Sequence, residues 1–287
     1  MWIVCVLGTG CQTHGVPSSL ERDAERDARD PDDEARRLAE YDILRLRADN
    51  PGPLTLSGTN TWVVGRDPAY VIDPGPALDG HLDRVYAAIE ARGGLGGVAL
   101  THDHVDHSEA VAVMRAYFPA PLAAGRGEVD VRLAEGTRFG PLRALATPGH
   151  APDHFALLSG RVCFTGDAVL GEGSVFIAPD PGALAGYLAG LERLRARDLD
   201  LLCPGHGPPI WDPRAKLDQY LAHRLQRERL LLAALAEGRR ATAELLDAAW
   251  PDVPPELRPA AAVTLIAHLD KLAEEDRLPE GVERPSW

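Results

Sequence analysis

Thr101-His102-Asp103-His104-Val105-Asp106-His107 gathers three histidines and two aspartates into seven residues, directly after the short apolar run of residues 98–100. A run of that length reads as a buried strand, so the polar cluster sits where a strand leaves its sheet. Side chains two apart in extended backbone point to the same side, which lets His102 and His104 reach one cation. Asp106 and His107 follow at the turn into a helix, where the chain changes direction and can address a second cation beside the first. Imidazole with carboxylate suits zinc, or iron or manganese where oxygen ligands contribute more. A His-rich loop can equally be a structural metal site or a solvated turn, so the rest of the chain has to arbitrate.

Three later motifs do so. Thr147-Pro148-Gly149-His150 follows a short strand, and Gly149 lets the backbone set His150 at the strand end. Phe164-Thr165-Gly166-Asp167 ends another strand with a carboxylate, and Cys203-Pro204-Gly205-His206-Gly207 ends a third with histidine after glycine. Each motif puts a ligand type at a strand terminus, where a metal centre on the edge of a sheet would collect them.

Taken together these residues resemble the metallo-beta-lactamase superfamily, whose pattern HxHxDH, then His, Asp and His in that order, is met with no member missing. The resemblance implies an α/β chain folded as an αβ/βα four-layer sandwich with a dinuclear site at one edge. By position it implies that His102, His104 and His150 hold one metal, that Asp106, His107 and His206 hold the other, and that Asp167 bridges them. Two Zn2+ ions are the expected cofactors, with Fe or Mn as alternatives. Two cations about 3.5–4 Å apart can share a water and lower its pKa from about 15.7 to roughly 7, which predicts metal-assisted hydrolysis.

Within the superfamily, Asn50-Pro51-Gly52, Gly58-Thr59-Asn60-Thr61-Trp62, residues 147–154, residues 166–173, residues 204–208 and Tyr220-Leu221-Ala222-His223-Arg224 resemble the beta-lactamase-like protein 2 group, close to glyoxalase II. That resemblance implies a winged-helix-like tail and two substrate classes: a small or carrier-bound thioester, attacked at its carbonyl, or single-stranded RNA, cut by an endoribonuclease. Asp167 as a bridging ligand disfavours the main antibiotic-degrading enzymes, and the short segments between motifs leave no room for the inserted domain of the mRNA-processing nucleases.

Three regions are expected. Residues 20–41 alternate acid and base with almost no apolar side chain, which suits a solvated helix or an unstructured arm, so residues 1–41 are set apart as an extension. Residues 42–212 alternate strand-like and helix-like segments and are read as the hydrolase domain. Residues 213–287 are mostly helical, with residues 276–283 expected as the hairpin of a winged-helix-like module.

Composition adds limits. A formal net charge of -13 over 287 residues argues against a general nucleic-acid or anionic-membrane coat. It leaves room for a local basic stretch, and residues 214–229 carry five basic side chains (Arg214, Lys216, Arg224, Arg227, Arg229) against Asp218 and Glu228. Those residues read either as an ordinary solvated helix face or as an RNA contact. Cys5, Cys11, Cys163 and Cys203 form no CxxC pair, and the apolar opening lacks the basic start of a secretory signal, so a cytoplasmic location without membrane attachment is expected.

Beyond the metal ligands, Asp106 and His154 are the candidate catalytic side chains. His154, four residues after His150, reads either as a proton or hydrogen-bond donor to substrate or as a structural histidine. Asp73, at the end of a strand, is a candidate partner for the metal-bearing loop, and Asn60 is expected to order a turn.

Overall fold

Strands in the middle of this chain are apolar on both faces because both faces are covered. The computed structural model describes residues 31–285 except 178, 254, 256 and 257. Its first sheet takes strands β1 (Ile43–Arg47), β2 (Asn60–Val64), β3 (Ala69–Ile72), β4 (Leu95–Ala99), β5 (Leu122–Ala124) and β6 (Val131–Arg132), in that order. The first three run antiparallel, and β3 to β6 run parallel. The second sheet is ordered β11 (Leu201–Pro204), β10 (Val162–Gly166), β9 (Phe155–Ser159), β8 (Leu142–Ala146), β7 (Arg138–Phe139). Only β10 and β11 are parallel there.

The period of two along each strand sorts side chains between layers. Trp62, Ile72 and Ala99 of the first sheet meet Ala144, Leu157, Phe164 and Cys203 of the second in the central core. Their neighbours Val63, Val71 and Val98 face outward onto helices α2 (Asp79–Glu90) and α4 (Val111–Tyr117), through Val85, Ile89 and Met114. On the far side Leu145, Cys163 and Leu202 face α5 (Ala183–Arg195) and α6 (Pro213–Ala236), through Leu184, Tyr187, Leu191 and Leu217. The result is the expected αβ/βα four-layer sandwich. Between α2 and α4 lies the single-turn helix α3 (Val105–Ser108), into which the histidine heptad turns.

Helix α6 starts at Asp212, whose Oδ1 accepts the Ala215 N–H at 2.9 Å, with Pro213 at the first helical position. It is long enough to leave the sandwich. Its second half packs with α7 (Thr242–Ala249) and α8 (Arg258–Glu274) around Leu231, Leu235, Leu245, Trp250, Leu265 and Leu269.

Two expectations change. Residues 31–39 form helix α1 (Pro31–Ala39), whose Leu38 is buried in the central core next to Ile43. Glu34 pairs with Arg45 at 2.7 Å, and the Arg37 guanidinium lies 3.8 Å over the Trp211 ring. The described fold therefore begins before Asp42: one large apolar side chain on a mostly charged helix suffices when its charges find fixed partners. Residues 1–30 of the expected extension lie outside the described residues. Residues 276–283, expected as a hairpin, hold no strand among the described residues. Pro279 has no N–H to pair and Gly281 turns the chain at φ +75°, while Leu278 and Val282 pack back onto the helices. The Glu283 N–H then bonds Arg240 O at 2.9 Å.

Candidate metal centre

Four strand ends converge on one edge of the sandwich. The chain leaves β4 into His102 and His104, β8 into His150, β10 into Asp167 and β11 into His206. Backbone bonds lock these ends together: Phe155 N–H to Thr101 O at 2.8 Å, Gly205 N–H to Gly166 O at 2.9 Å, and Asn60 N–H to Gly205 O at 2.7 Å. The Asn60 amide adds bonds to Pro204 O and Gly207 O at 2.9 and 2.8 Å, which orders the turn carrying His206.

All seven side chains expected as ligands meet here, in two groups. His102, His104, His150 and Asp167 form one, and Asp106, His107 and His206 the other, with donor atoms within 4.8 Å of one another in each. Asp167 stands between them. Its Oδ2 lies 3.5 Å from His150 Nε2 and 3.3 Å from His206 Nε2, and its Oδ1 lies 3.5 Å from His107 Nε2. His102, His107, His206 and Asp167 are the buried floor, while His104 is exposed and His150 and Asp106 are half-buried, so the group opens on that side.

The imidazoles are aimed from behind. Asp73 is buried and can only accept, so His107 Nδ1 donates to its Oδ2 at 3.0 Å and Nε2 is left bare toward the centre. The same Oδ2 takes the Thr101 hydroxyl at 2.7 Å, and Oδ1 takes the Thr101 N–H at 2.8 Å. That hydroxyl in turn accepts from His102 Nδ1 at 3.0 Å, so one carboxylate sets the tautomer of a histidine in each group. His150 Nδ1 donates to Phe176 O at 3.0 Å. Asp106 Oδ2 accepts from the Thr59 hydroxyl at 2.9 Å, and Asn50 holds Thr59 in place.

His154 occupies a different position from the one expected of a catalytic donor. It is buried, its Nε2 accepts the Asp167 N–H at 3.2 Å, and its Nδ1 donates to the Thr147 hydroxyl at 2.8 Å. Both nitrogens are occupied by the protein, so it has no proton to offer a substrate. Burial, followed by the neighbouring His150, pushes its pKa down to about 3. Of the two candidate catalytic residues only Asp106 faces the opening. Thr59, Thr101 and Thr147 went unread, and the signal available was that a threonine opens both the heptad and the Thr147-Pro148-Gly149-His150 motif.

The donor set fits cations. Among the described residues Asp167 Oδ1 is buried with no hydrogen-bond partner, a state that costs about 1–3 kcal/mol or more unless something positive faces it. Burial and then His107 hold His102 well below the ordinary imidazole range, and burial and His150 lower His104, which keeps their lone pairs available. Burial opposes a charge on His107, yet Asp167 and Asp73 together hold its pKa well above the usual range. A pocket that attracts a proton so strongly attracts a metal cation for the same reason. Gly205 leaves the room: a Cβ there would lie 2.3 Å from Asp167 Oδ1 and 2.6 Å from His107 Cε1.

The metallo-beta-lactamase superfamily profile matches residues 54–143 and 128–206, and that of the beta-lactamase associated winged helix domain matches residues 241–284. Atrochrysone carboxyl ACP thioesterase of Aspergillus chevalieri is 37% identical over 216 residues, covering 70% of this chain and 68% of that protein. Beta-lactamase-like protein 2 homolog of Caenorhabditis elegans is 27% identical over 253 residues, covering 81% of this chain and 84% of that protein. The crystal structure of a beta-lactamase domain protein from Burkholderia ambifaria superposes with a TM-score of 0.70 at 21% identity, covering 84% of this chain and 90% of that one. Among the described residues no helix is long and apolar enough to cross a membrane.

Proposed function

The chain is a hydrolase of the metallo-beta-lactamase superfamily, and on that premise we propose that it cleaves acyl thioesters, carrier-bound ones included, at a dinuclear centre. The observation that carries this reading is Asp167, set between two groups of donors with Oδ2 facing His150 of one group and His206 of the other, and Oδ1 facing His107. His102, His104 and His150 would hold one zinc, Asp106, His107 and His206 the second, and Asp167 both. Two such cations supply a Lewis acid for the acyl oxygen and a water acidic enough to attack at neutral pH.

The protein's own groups do the rest. The Asp73–Thr101 relay keeps bare nitrogens of His102 and His107 turned inward. His154 is a positioning residue that holds the Asp167 backbone, and Thr59 aims the Asp106 carboxylate. Substrate enters over His104, His150 and Asp106, the ligands that solvent reaches.

Thioesters are favoured over RNA by the helix that an RNA reading depends on. Of its five basic side chains Arg224 and Arg227 are buried, and Lys216 donates to Gly171 O at 3.0 Å. Arg227 makes a two-pronged pair with Asp252 at 2.6 and 2.8 Å. They brace the fold instead of presenting a row of charges for phosphates. The relative named as an ACP thioesterase supports the same choice.

Zinc-loaded protein should release free thiol from acyl-coenzyme A or acyl-pantetheine substrates, measured with a thiol reagent, and Asp167→Asn should abolish it. Thiol release unchanged in that variant, or single-stranded RNA cleavage with no thioester turnover, refutes the proposal.

A further inference from the structure

The loop after Asp167 is held by one face of helix α6. Lys216, Tyr220 and Arg224 are spaced by four, so they stand in a row about 6 Å apart along the helix. Lys216 Nζ donates to Gly171 O at 3.0 Å, Tyr220 Oη to Gly173 O at 3.0 Å, and Arg224 Nη2 to Val175 O. Three carbonyls at alternate positions thus meet three side chains one helical turn apart. Two residues of chain span at most about 7 Å, so this pitch leaves the loop little slack. Tyr220 Oη also accepts the Leu170 N–H at 3.1 Å, and Arg224 reaches Ser174 Oγ at 3.3 Å. Arg224 is buried and lies over the Tyr187 ring, 5.4 Å from its centroid.

The carbonyl next in line is the one that matters to the centre. Phe176 O accepts from His150 Nδ1 at 3.0 Å, and that bond turns His150 Nε2 inward. At the other end of the loop the Gly171 N–H donates to the backbone oxygen of His206 at 2.9 Å.

We infer that helix α6 is a positioning element of the metal centre: Lys216, Tyr220 and Arg224 set the loop so that Phe176 O fixes the tautomer and direction of His150. The helix that begins the C-terminal region is then part of the hydrolase site, although none of the three side chains is a ligand. This rests on the reading of His150 as a metal ligand. A backbone acceptor behind a ligand histidine typically accounts for about tenfold to a hundredfold in metal affinity.

The test is zinc retention by the full-length, zinc-loaded protein against graded chelator, with circular dichroism to establish folding. Wild type should retain two equivalents, and His150→Ala should lose one. Arg224→Gln should weaken one of the two equivalents by about tenfold to a hundredfold and leave the other in place. Arg224→Lys, which keeps a donor, should recover most of that loss, and exposed Gln226→Ala on the same helix should have no effect. Tyr220→Phe, which removes a single hydroxyl, should weaken the same equivalent, and it decides the matter if Arg224→Gln does not fold. Both equivalents retained at wild-type affinity in folded Arg224→Gln or Tyr220→Phe overturns the inference. So does an equal weakening of both equivalents in step with a lower melting temperature. His150→Ala that keeps both equivalents instead overturns the underlying assignment of His150.

Discussion

Replacing Asp73 by asparagine removes one oxygen and should disable ligands in both groups at once. In the native site Oδ1 accepts the Thr101 N–H, while Oδ2 accepts the Thr101 hydroxyl and His107 Nδ1. An asparagine can place its oxygen in only one of these positions. With oxygen toward the Thr101 N–H, the amide N–H2 faces the hydroxyl and His107 Nδ1, which must both become acceptors. His107 then carries its proton on Nε2, pointing into the centre, and the Thr101 hydroxyl turns its hydrogen toward His102 Nδ1, forcing the same change there. Every bond survives, but two inward lone pairs are lost. With the amide reversed, N–H2 and the Thr101 N–H oppose each other as buried donors, at about 1–3 kcal/mol apiece. The first arrangement costs less in stability, so the loss should appear in metal binding: about tenfold to a hundredfold per affected cation, about 1.4–2.7 kcal/mol each. Chelator competition on Asp73→Asn, beside a thermal melt of the metal-free protein, separates the two arrangements. A variant that keeps both wild-type zinc affinity and wild-type melting temperature refutes the relay.

Gly205→Ala should lower thioester turnover at least about a hundredfold, because its Cβ would sit 2.3 Å from Asp167 Oδ1 and the displaced carboxylate belongs to both groups; wild-type kcat in a folded variant counts against it. Phe164→Ala opens the core between the sheets and should cost about 3–5 kcal/mol by urea unfolding, with a loss under 1 kcal/mol showing that the interface is not packed as described. His268, buried against the Trp250 ring with neither ring nitrogen bonded among the described residues, has its pKa lowered to about 3 by burial, with Arg224 and Lys271 adding repulsion. Below about pH 6.5 the unfolded chain takes up this proton and the folded one does not, so stability falls with pH between about 6.5 and 3. By pH 5 the loss is about 2 kcal/mol, and His268→Phe should unfold with a correspondingly flatter pH dependence. Equal slopes in the two proteins would contradict it.

The candidate metal ligands were legible because each sits in a short motif at a strand end, where glycine and proline mark the exit and little else explains a histidine. Their supports were legible only in part. Asp73 could be suspected from its place after a strand, but Thr59, Thr101 and Thr147 look like ordinary strand and turn residues until the hydroxyls are seen to meet Asp106, His102 and His154. His154 shows the same limit from the other side. Its proximity to His150 in sequence suits a donor to substrate, and only the Asp167 N–H on one nitrogen and Thr147 on the other assign it to the scaffold.

From the sequence alone follow the α/β class and the motifs that place seven donor side chains at strand ends, because these depend on local pattern, and the four-layer sandwich follows from the family those motifs resemble. Charge was misleading at two places for one reason. The residues of α1 and, in α6, Lys216, Arg224 and Arg227 read as solvated when counted along the chain, while Arg214 and Arg229 are indeed exposed. Yet Leu38 enters the core, Glu34 meets Arg45, Arg227 meets Asp252, and Arg224 reaches Val175 O. A side chain's partner lies across the fold, up to 50 residues away for Arg224, and pairing of that range is written in no local period. Tertiary structure therefore decided which charges brace the molecule, which tautomer His102, His107, His150 and His154 keep, and which of the seven donors solvent can reach.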